Sequence, residues 1–586
     1  MMSLPWRRLW NVAKPFWLSD KKWVGLALFG AVLFCLFANV RLAVFANQQA
    51  GNVMTAIELR SPDQFYHNLW FWMGALAAQV PIQVFYAYFR TWLALVWRKW
   101  LSENLMGRYY GNRAYYKMLR NTEIDNPDQR MTQDVDSFCN TTVGLFIAVL
   151  DSVTNVVSFA AVLWALSPLL TWTVFGYALL GSLIMMFIGR NLSNINFMQA
   201  KTEADLRFSL AEARREAESI ALYSGEPVAM TQARARLGDV ISTLMSLMAL
   251  WRNIGFFTTP YNMLVAVIPV VLMAPQYFAH HIAFGEITQA TMAFGAVFGG
   301  ATFLVNQFGG ISGFTATINR IGAFQEALEN AGMEPLPPEK RIDLRDGDVI
   351  SFDHVSVLTP DLARSLIFDL TVEVKPSQSL LITGPDGSGK SSIARVIAGL
   401  WNAGSGKLTR PPSSAVMFMT ATPYLPAMTL RQALCFSEGT LCQDDARLLQ
   451  VLTLVGMPDL VVRAGGWDTE HTWRQMLSLS EQQRLSLARV VLRKPQYVVI
   501  DEATSALEPE QVQMLYALLT SLGSTVVTCG NSATLSKYHV NVLELDGDGS
   551  WKLHPANEYK PKPFVSRFMG SALLRRLRGE GDDANE

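Results

Sequence analysis

The sequence predicts two folds in tandem, an all-α domain of six membrane-crossing helices followed by an α/β domain, and three observations carry that prediction. Half of the 586 residues are hydrophobic, only 17% are charged and the mean hydropathy is +0.19, more apolar than soluble globular chains usually are. Six apolar stretches, near 23–46, 68–95, 142–166, 170–190, 254–278 and 289–312, are each long enough to cross roughly 30 Å of hydrocarbon as a helix of about 20 residues. Near residue 338 the composition changes. PLPPEK at 335–340 reads as a Pro-rich linker, and the chain beyond it alternates short apolar strands with helical patterns, the habit of α/β domains. The expected domains are 1–338, 339–560 and a tail, 561–586, which suits either an amphipathic surface helix or a disordered end.

Charge and cysteine usage exclude several classes. Forty-nine Lys and Arg balance 49 Asp and Glu, so there is no basic excess to attract nucleic acid. Cys35, Cys139, Cys435, Cys442 and Cys529 form no CxxC pair and stand beside no spaced histidines, which indicates neither a zinc site nor a disulfide framework.

Each element of the membrane half follows in order. The start, MMSLPWRRLWNVAKPFWLSDKKW, is basic with interleaved Trp and Phe, and no small-residue cleavage site follows the first apolar run; it reads as an interfacial helix leading into an uncleaved signal anchor. Positive charge then sets the orientation. The leader carries Arg7, Arg8, Lys14, Lys21 and Lys22. The loop between spans two and three is rich in Arg and Lys from Arg98 to Arg130, and the loop between spans four and five from Lys201 to Arg252, whereas Arg60 stands alone on the other side. Both termini are expected in the cytoplasm of a multi-pass protein, with a bacterial inner membrane preferred because no targeting extension is visible. Arg41, Arg90 and Asp151 fall inside apolar spans. Such charges either face a water-filled path or snorkel and pair structurally.

In the second half, LLIT at 380–383 is a buried-strand run that leads into GPDGSGKSS and then the helical SIARVIAGL. Strand, Gly-rich turn and helix together fit a phosphate-binding loop. Gly384, Pro385, Asp386, Gly387, Ser388 and Gly389 curl backbone NH groups round phosphate oxygens, Lys390 reaches the β and γ phosphates, Ser391 offers its hydroxyl to Mg2+, and Ser392 continues the helix start, whose dipole favours anions. YVVIDEATSALE at 497–508 is a second strand, ending on Asp501, placed to hold the magnesium shell, and Glu502, placed to polarise a water. The cofactors implied are ATP and Mg2+.

GPDGSGKSS, then LSLSEQQRLSLARVVLRKP at 477–495, then YVVIDEATSALE, all behind six spans, resemble an ATP-binding cassette (ABC) half-transporter. NPDQR at 126–130 and TEADLRFSLAEARREAESIALYSGE at 202–226 are similar to cytoplasmic-loop motifs of the SbmA/BacA-like bacterial transporters and of the peroxisomal fatty-acyl transporters of subfamily D. The resemblance runs from KPFW at 14–17 to VLELDG at 542–547. It implies an exporter-like six-helix membrane unit fused to one P-loop nucleotide-binding domain per chain, working in the bilayer as a dimer, either of two copies or with a sister chain. In the family, the signature loop of one chain closes over the ATP of the other. The helix carrying Ala211-Glu212-Ala213 and Tyr223-Ser224-Gly225-Glu226 would couple domain closure to the spans; a charged, solvated helix with i, i+4 pairs is the alternative reading.

The pattern is broken at several points. The family signature has two glycines where this chain has Leu479 and Ser480, after a retained Ser478. Ala421 stands where relatives have a glutamine that senses magnesium and the membrane domain, Asn531 replaces the switch histidine, and Glu508 replaces an aspartate. Glycines there let NH groups approach the γ phosphate with no side chain between. Ser480 and Asn531 restore part of that contact, so binding is expected to survive better than turnover. The expectation is a transporter of an unknown peptide-like, amphipathic or cobalamin/acyl-type solute with weak ATPase. The alternatives are an ATP-binding, non-hydrolysing scaffold or regulator, and a transporter driven by an ion gradient.

Overall fold

A computed structural model of the chain describes residues 5–118, 126–332, 338–359, 361–436, 444–531 and 533–560. Arg120, Cys442 and the tail 561–586 lie outside the described residues. The chain divides into two units, Met1–Met333 and Glu334–Glu586.

The first unit is helical. α1 (Trp6–Leu18) buries Val12, Ala13 and Phe16 and leaves Trp6 and Trp10 exposed. α2 (Lys22–Glu58) and α3 (Pro62–Tyr110) form a hairpin whose turn needs Arg60 at φ 50° and restarts on Pro62, a residue preset for the first helical turn. α3 has 49 residues, about 74 Å at 1.5 Å per residue, so it crosses a membrane-sized distance and continues beyond it. α4 (Val135–Leu166), α5 (Pro168–Gly189), α6 (Leu192–Arg215), α7 (Ala217–Leu222), α8 (Glu226–Phe278), α9 (Phe284–Asn306) and α10 (Phe308–Gly332) complete the unit.

Two apolar clusters hold these helices. In one, Phe16 stacks on Trp97 with ring centroids 5.3 Å apart, and Phe138 meets Trp97 edge-on. In the other, Tyr177 and Tyr261 stack at 4.4 Å and each hydroxyl donates to the other residue's carbonyl at 2.7 Å. The space for Tyr261 exists because Gly181 has no Cβ to collide with its ring.

NPDQR sits at the entry to α4. Asn126 is left-handed at φ 46°, and Arg130–Asp134 form a π turn before the α-helix, an irregularity often found at functional positions. Arg320 of α10 grips the buried Asp134 through two 2.7 Å bonds, and Arg130 donates to the Arg320 carbonyl at 3.2 Å. A bidentate guanidinium–carboxylate pair fixes geometry as well as charge.

The expected spans need refinement. Among the described residues four helices are long and apolar enough to cross a membrane: Lys22–Glu58, Pro127–Leu166, Pro168–Gly189 and Glu226–Phe278. The stretch 68–95 is helical but interrupted by Gln79, Gln83 and Arg90. The stretch 289–312 is not one helix: it breaks at Gln307, just before the Gly309-Gly310 pair, where helix propensity is lowest short of proline. Tyr223-Ser224-Gly225 also departs from the helix expected of it, forming the turn between α7 and α8 with Ser224 at φ 51°. The chain is a multi-pass membrane protein with a helical membrane domain.

The second unit is α/β. One sheet joins β1 (Asp343–Asp346), β2 (Ile350–Leu358), β3 (Ser365–Val374) and β5 (Gly404–Arg410) in the order β1-β5-β2-β3. The other contains β4 (Leu380–Thr383), β6 (Val416–Thr420), β7 (Tyr497–Asp501), β8 (Thr525–Cys529), β9 (Asn541–Leu545) and β10 (Trp551–Pro555), ordered β10-β9-β4-β8-β7-β6, parallel except at the β10 edge. β4 is buried at all four positions, as strands of a covered parallel sheet are. Three helices matter to the site: α11 (Lys390–Ile397), α12 (Leu479–Arg493) and α13 (Pro509–Ser521). Phe352, Ile382, Ile393 and Val499 pack between the sheets, while Leu452, Trp473, Leu485 and Val498 seal the other face.

Candidate functional site

The register of the parallel sheet decides which loops meet. Thr528 lies opposite Leu381 and Ile500, and Cys529 opposite Ile382 and Asp501, so the chain leaving β4, β7 and β8 emerges at one edge. Carboxyl ends of parallel strands are where open α/β sheets place ligands.

After β4 the chain turns through Gly387 at φ 78° and Gly389 at φ 103°, the latter capping α11; both conformations favour glycine strongly. The Ser388 hydroxyl is buried and, among the described residues, has no hydrogen-bond partner. Lys390 is 5% exposed, and its ammonium donates back to the carbonyls of Gly384 at 3.0 Å and Pro385 at 2.9 Å. A buried cation turned on its own loop, an orphaned hydroxyl and a helix N-terminus together suit a polyanion. Ser392 is buried in the same turn.

The Ser391 hydroxyl donates to Asp501 at 2.8 Å, which brings the two candidate magnesium ligands together. Glu502 follows at φ 55°, with its NH donating to the Cys529 carbonyl at 3.1 Å and its carboxylate exposed. A left-handed glutamate is uncommon, and such outliers cluster at functional positions. Beyond β8, Asn531 donates to the Asp386 carboxylate at 2.6 Å, and Asp386 also lies 3.7 Å from the Lys390 ammonium. This pairing of Asn531 and Lys390 through the shared Asp386 carboxylate was not legible beforehand; the signal for it is the acid in the third position of GPDGSGKSS.

Below this edge, the Thr528 hydroxyl lies 2.8 Å from His539 Nε2 and 3.0 Å from the Tyr516 hydroxyl, and His539 Nδ1 lies 2.8 Å from the Leu535 carbonyl. A carbonyl only accepts, so Nδ1 carries the proton and Nε2 accepts from Thr528. Burial holds His539 down at about 4, and it pushes the Cys529 thiol up.

The stretch Leu477-Ser478-Leu479-Ser480 leads into α12. Ser478 caps the helix, its hydroxyl accepting from the Glu481 NH at 3.2 Å while Glu481 accepts from the Ser478 NH at 2.9 Å, a reciprocal capping box. Arg463 clamps Glu481 at 2.6 Å and holds its carboxyl below the usual range. Leu479 is 43% exposed. The Ser480 hydroxyl donates to Gln511 of α13 at 2.9 Å, so its proton is already engaged. Gln483, fully buried, donates to the carbonyls of Thr420 and Ala421, both at 2.8 Å. Ser480 to Gln511 and Gln483 to Ala421 are contacts that sequence spacing alone does not reveal.

Of the three charges expected within spans, Arg41 is exposed on α2, Arg90 is half-buried on α3, and Asp151 on α4 accepts from Asn155 at 3.1 Å.

Comparison with known proteins places this geometry in a family. Residues 15–278 match the family ABC transporter transmembrane region 2, and residues 367–505 match the ABC transporter family. An uncharacterized ABC transporter ATP-binding protein of Synechocystis is 38% identical, with 92% of this chain and 83% of the relative covered. ABC transporter D family member 2, chloroplastic, of Arabidopsis thaliana is 31% identical over 92% of this chain and 86% of its own length. The lysosomal cobalamin transporter of Mus musculus is 32% identical over 79% of this chain and 82% of its own length. These relatives support the subfamily D side of the resemblance; the SbmA/BacA-like side is not supported. Proteins of this kind bind ATP with Mg2+ and work with a partner chain in the bilayer. The chain belongs to the ABC transporters that fuse a membrane domain to an ATP-binding domain, is related to their subfamily D, and moves a solute across a membrane using ATP.

Proposed function

We propose that the chain is a six-span half-transporter that works as a homodimer in a cell inner membrane, with both termini cytoplasmic, and that it hydrolyses ATP slowly while binding it normally. In this reading the domains run 1–338 and 339–560. Gly384 to Ser392 cradle the phosphates with Lys390 on the β and γ groups, Ser391 and Asp501 hold Mg2+, and Glu502 and Asn531 orient the attacking water. Ser478 and Ser480 meet the partner's nucleotide. The magnesium supplies charge neutralisation on the phosphates; the chain's residues bind, orient and exclude water.

The observation that supports slow turnover is the start of α12, where Leu479 projects a half-exposed side chain and the Ser480 proton is held by Gln511. Both reduce donors available to a γ phosphate approaching from a partner, and one lost donor of this kind costs a rate factor on the order of 100 to 1,000. The combined variant Leu479→Gly, Ser480→Gly, Ala421→Gln and Asn531→His is expected to hydrolyse ATP on the order of 10 to 1,000 times faster, since each 1.4 kcal/mol of barrier is about tenfold. ATPase of purified protein, with Glu502→Gln as the blank, checks it; an unmodified chain as fast as the variant ends this reading. Mass measurement in detergent is expected to find two copies, and a stable monomer that transports contradicts the homodimer.

The solute belongs to a peptide-like, amphipathic or cobalamin/acyl class; cobalamin is named for the Mus musculus relative. Ala421, Leu479 and Asn531 favour a second reading, a non-hydrolysing regulator or a transporter driven by an ion gradient, which the same ATPase comparison separates.

A further inference from the structure

The third residue of GPDGSGKSS puts a negative charge into a loop built to receive one from its ligand. One oxygen of that residue, Asp386 Oδ1, accepts from the Asn531 amide at 2.6 Å and lies 3.7 Å from the Lys390 ammonium. The first contact is at the short end of charge-assisted hydrogen bonds. An ammonium has three protons. Two of those on Lys390 go to the Gly384 and Pro385 carbonyls at 3.0 and 2.9 Å, and Asp386 is its ion-pair partner among the described residues. The cation and the amide come from different loops, after β4 and after β8, and a single carboxylate oxygen joins them. The Lys390 side chain is buried, whereas that of Asp386 is 82% exposed. The acid therefore reaches the pair from the solvent side, and water meets it again when it turns away.

We infer that Asp386 is the chain's own stand-in for the γ phosphate: its carboxylate holds the Lys390 and Asn531 pair when the site carries ADP and yields that pair when ATP enters, so it sets how strongly the site prefers ATP to ADP. The inference deepens the ATP-binding reading and rests on it for the roles of Lys390 and Asn531. ADP brings no γ group to claim the pair. ATP brings a group of the same sign as the carboxylate to the same two donors and must displace it. A hydrogen bond to a charged group changes an affinity by roughly tenfold or more, so the acid cancels part of the advantage that the extra phosphate gives ATP. Repulsion between like charges acts in the same direction from farther away, but salt screens it, whereas an exchanged contact persists.

The test uses the full chain in phosphatidylcholine nanodiscs with Mg2+. The fluorescent nucleotide mant-ADP is displaced by ADP and by AMP-PNP, an ATP analogue whose β–γ bridge resists hydrolysis, and the ratio of the two affinities is read. Asp386→Asn is expected to shift that ratio toward AMP-PNP by roughly fivefold or more. Asp386→Ser, which removes the acid without adding an amide, should reproduce the shift. Asn531→Ala deletes one of the shared donors, so adding Asp386→Asn to it should shift the ratio by a smaller factor, as coupled neighbours do. An unchanged ratio in Asp386→Asn overturns the proposal, as does a shift confined to the asparagine variant or one of equal size with and without Asn531. A shift seen at 50 mM KCl and lost at 500 mM also overturns it, because that is long-range repulsion and not an exchanged contact. If mant-ADP does not bind the unmodified chain, the ATP-binding reading falls and this proposal with it; if it binds and the ratio stays fixed, this proposal falls alone.

Discussion

Two helix starts in the second unit face the chemistry of phosphate in opposite ways. α11 begins on Gly389 at φ 103°, after Gly387 at φ 78°, and its glycines are required by the path of the backbone. α12 begins on Ser478 at φ −60° and ψ 159°, a conformation open to any residue, and it is capped by its own Ser478–Glu481 box. Losing glycines at 479 and 480 therefore leaves the helix intact. What changes is clearance and donor availability in front of it. The same substitution type that would deform the first start only screens the second, which is the physical basis for proposing that the chain keeps nucleotide binding while its turnover declines.

Lys390→Ala breaks the phosphate-loop side most severely. It removes a buried cation whose present partners are two carbonyls of its own loop, and ATP affinity is expected to fall a hundredfold or more in both the unmodified and the glycine-restored chains, as read by fluorescent-nucleotide titration. Retained affinity would mean that the loop's NH groups alone hold ATP.

The strand edge under that loop gives the next effect. His539 is held down at about 4 by burial, against about 6.5 in an unfolded chain. The neutral ring is stable above pH 6.5; as pH falls the unfolded chain takes up the proton first, so stability is lost between pH 6.5 and 4, by about 3 kcal/mol in all. The Tyr516 ring meets His539 edge-on, and burial pushes its hydroxyl up, so it stays neutral across that window. Chemical unfolding of the intact protein against pH should show a slope that His539→Phe reduces, and equal slopes would locate the acid sensitivity elsewhere.

The smallest effect tests the comparison directly. Gly389→Ala places a Cβ at positive φ, within 3.4 Å of Leu366 and Ile367, and should cost about 1 kcal/mol of stability with weaker ATP binding. Leu479→Gly should leave ATP affinity of the isolated site unchanged within twofold. Matched losses from the two would remove the distinction between the helix starts.

The P-loop was legible because strand, glycine spacing and helix are all local features; so was Asp501, the end of a buried run. Less legible were features made by distant partners. Asn531 reads in sequence as a poor histidine, but its 2.6 Å bond to Asp386 depends on two loops that only the sheet register brings together. Arg320 and Asp134 are 186 positions apart. The break at Gln307 was hidden because an apolar window averages over that one polar residue and the glycine pair that follows it.

The amide of Gln483 spans the carbonyls of Thr420 and Ala421, and this ties the signature helix to the very loop that lacks its glutamine. A displacement at residue 421 must drag α12 with it or rupture two bonds inside the protein, where an unmet amide is expensive. The Gln483 amide thus couples the loop to the helix. In the reading proposed above, a repair at 421 is expected to be felt at the start of α12, and a repair at 479 to be felt at the Thr420–Ala421 loop.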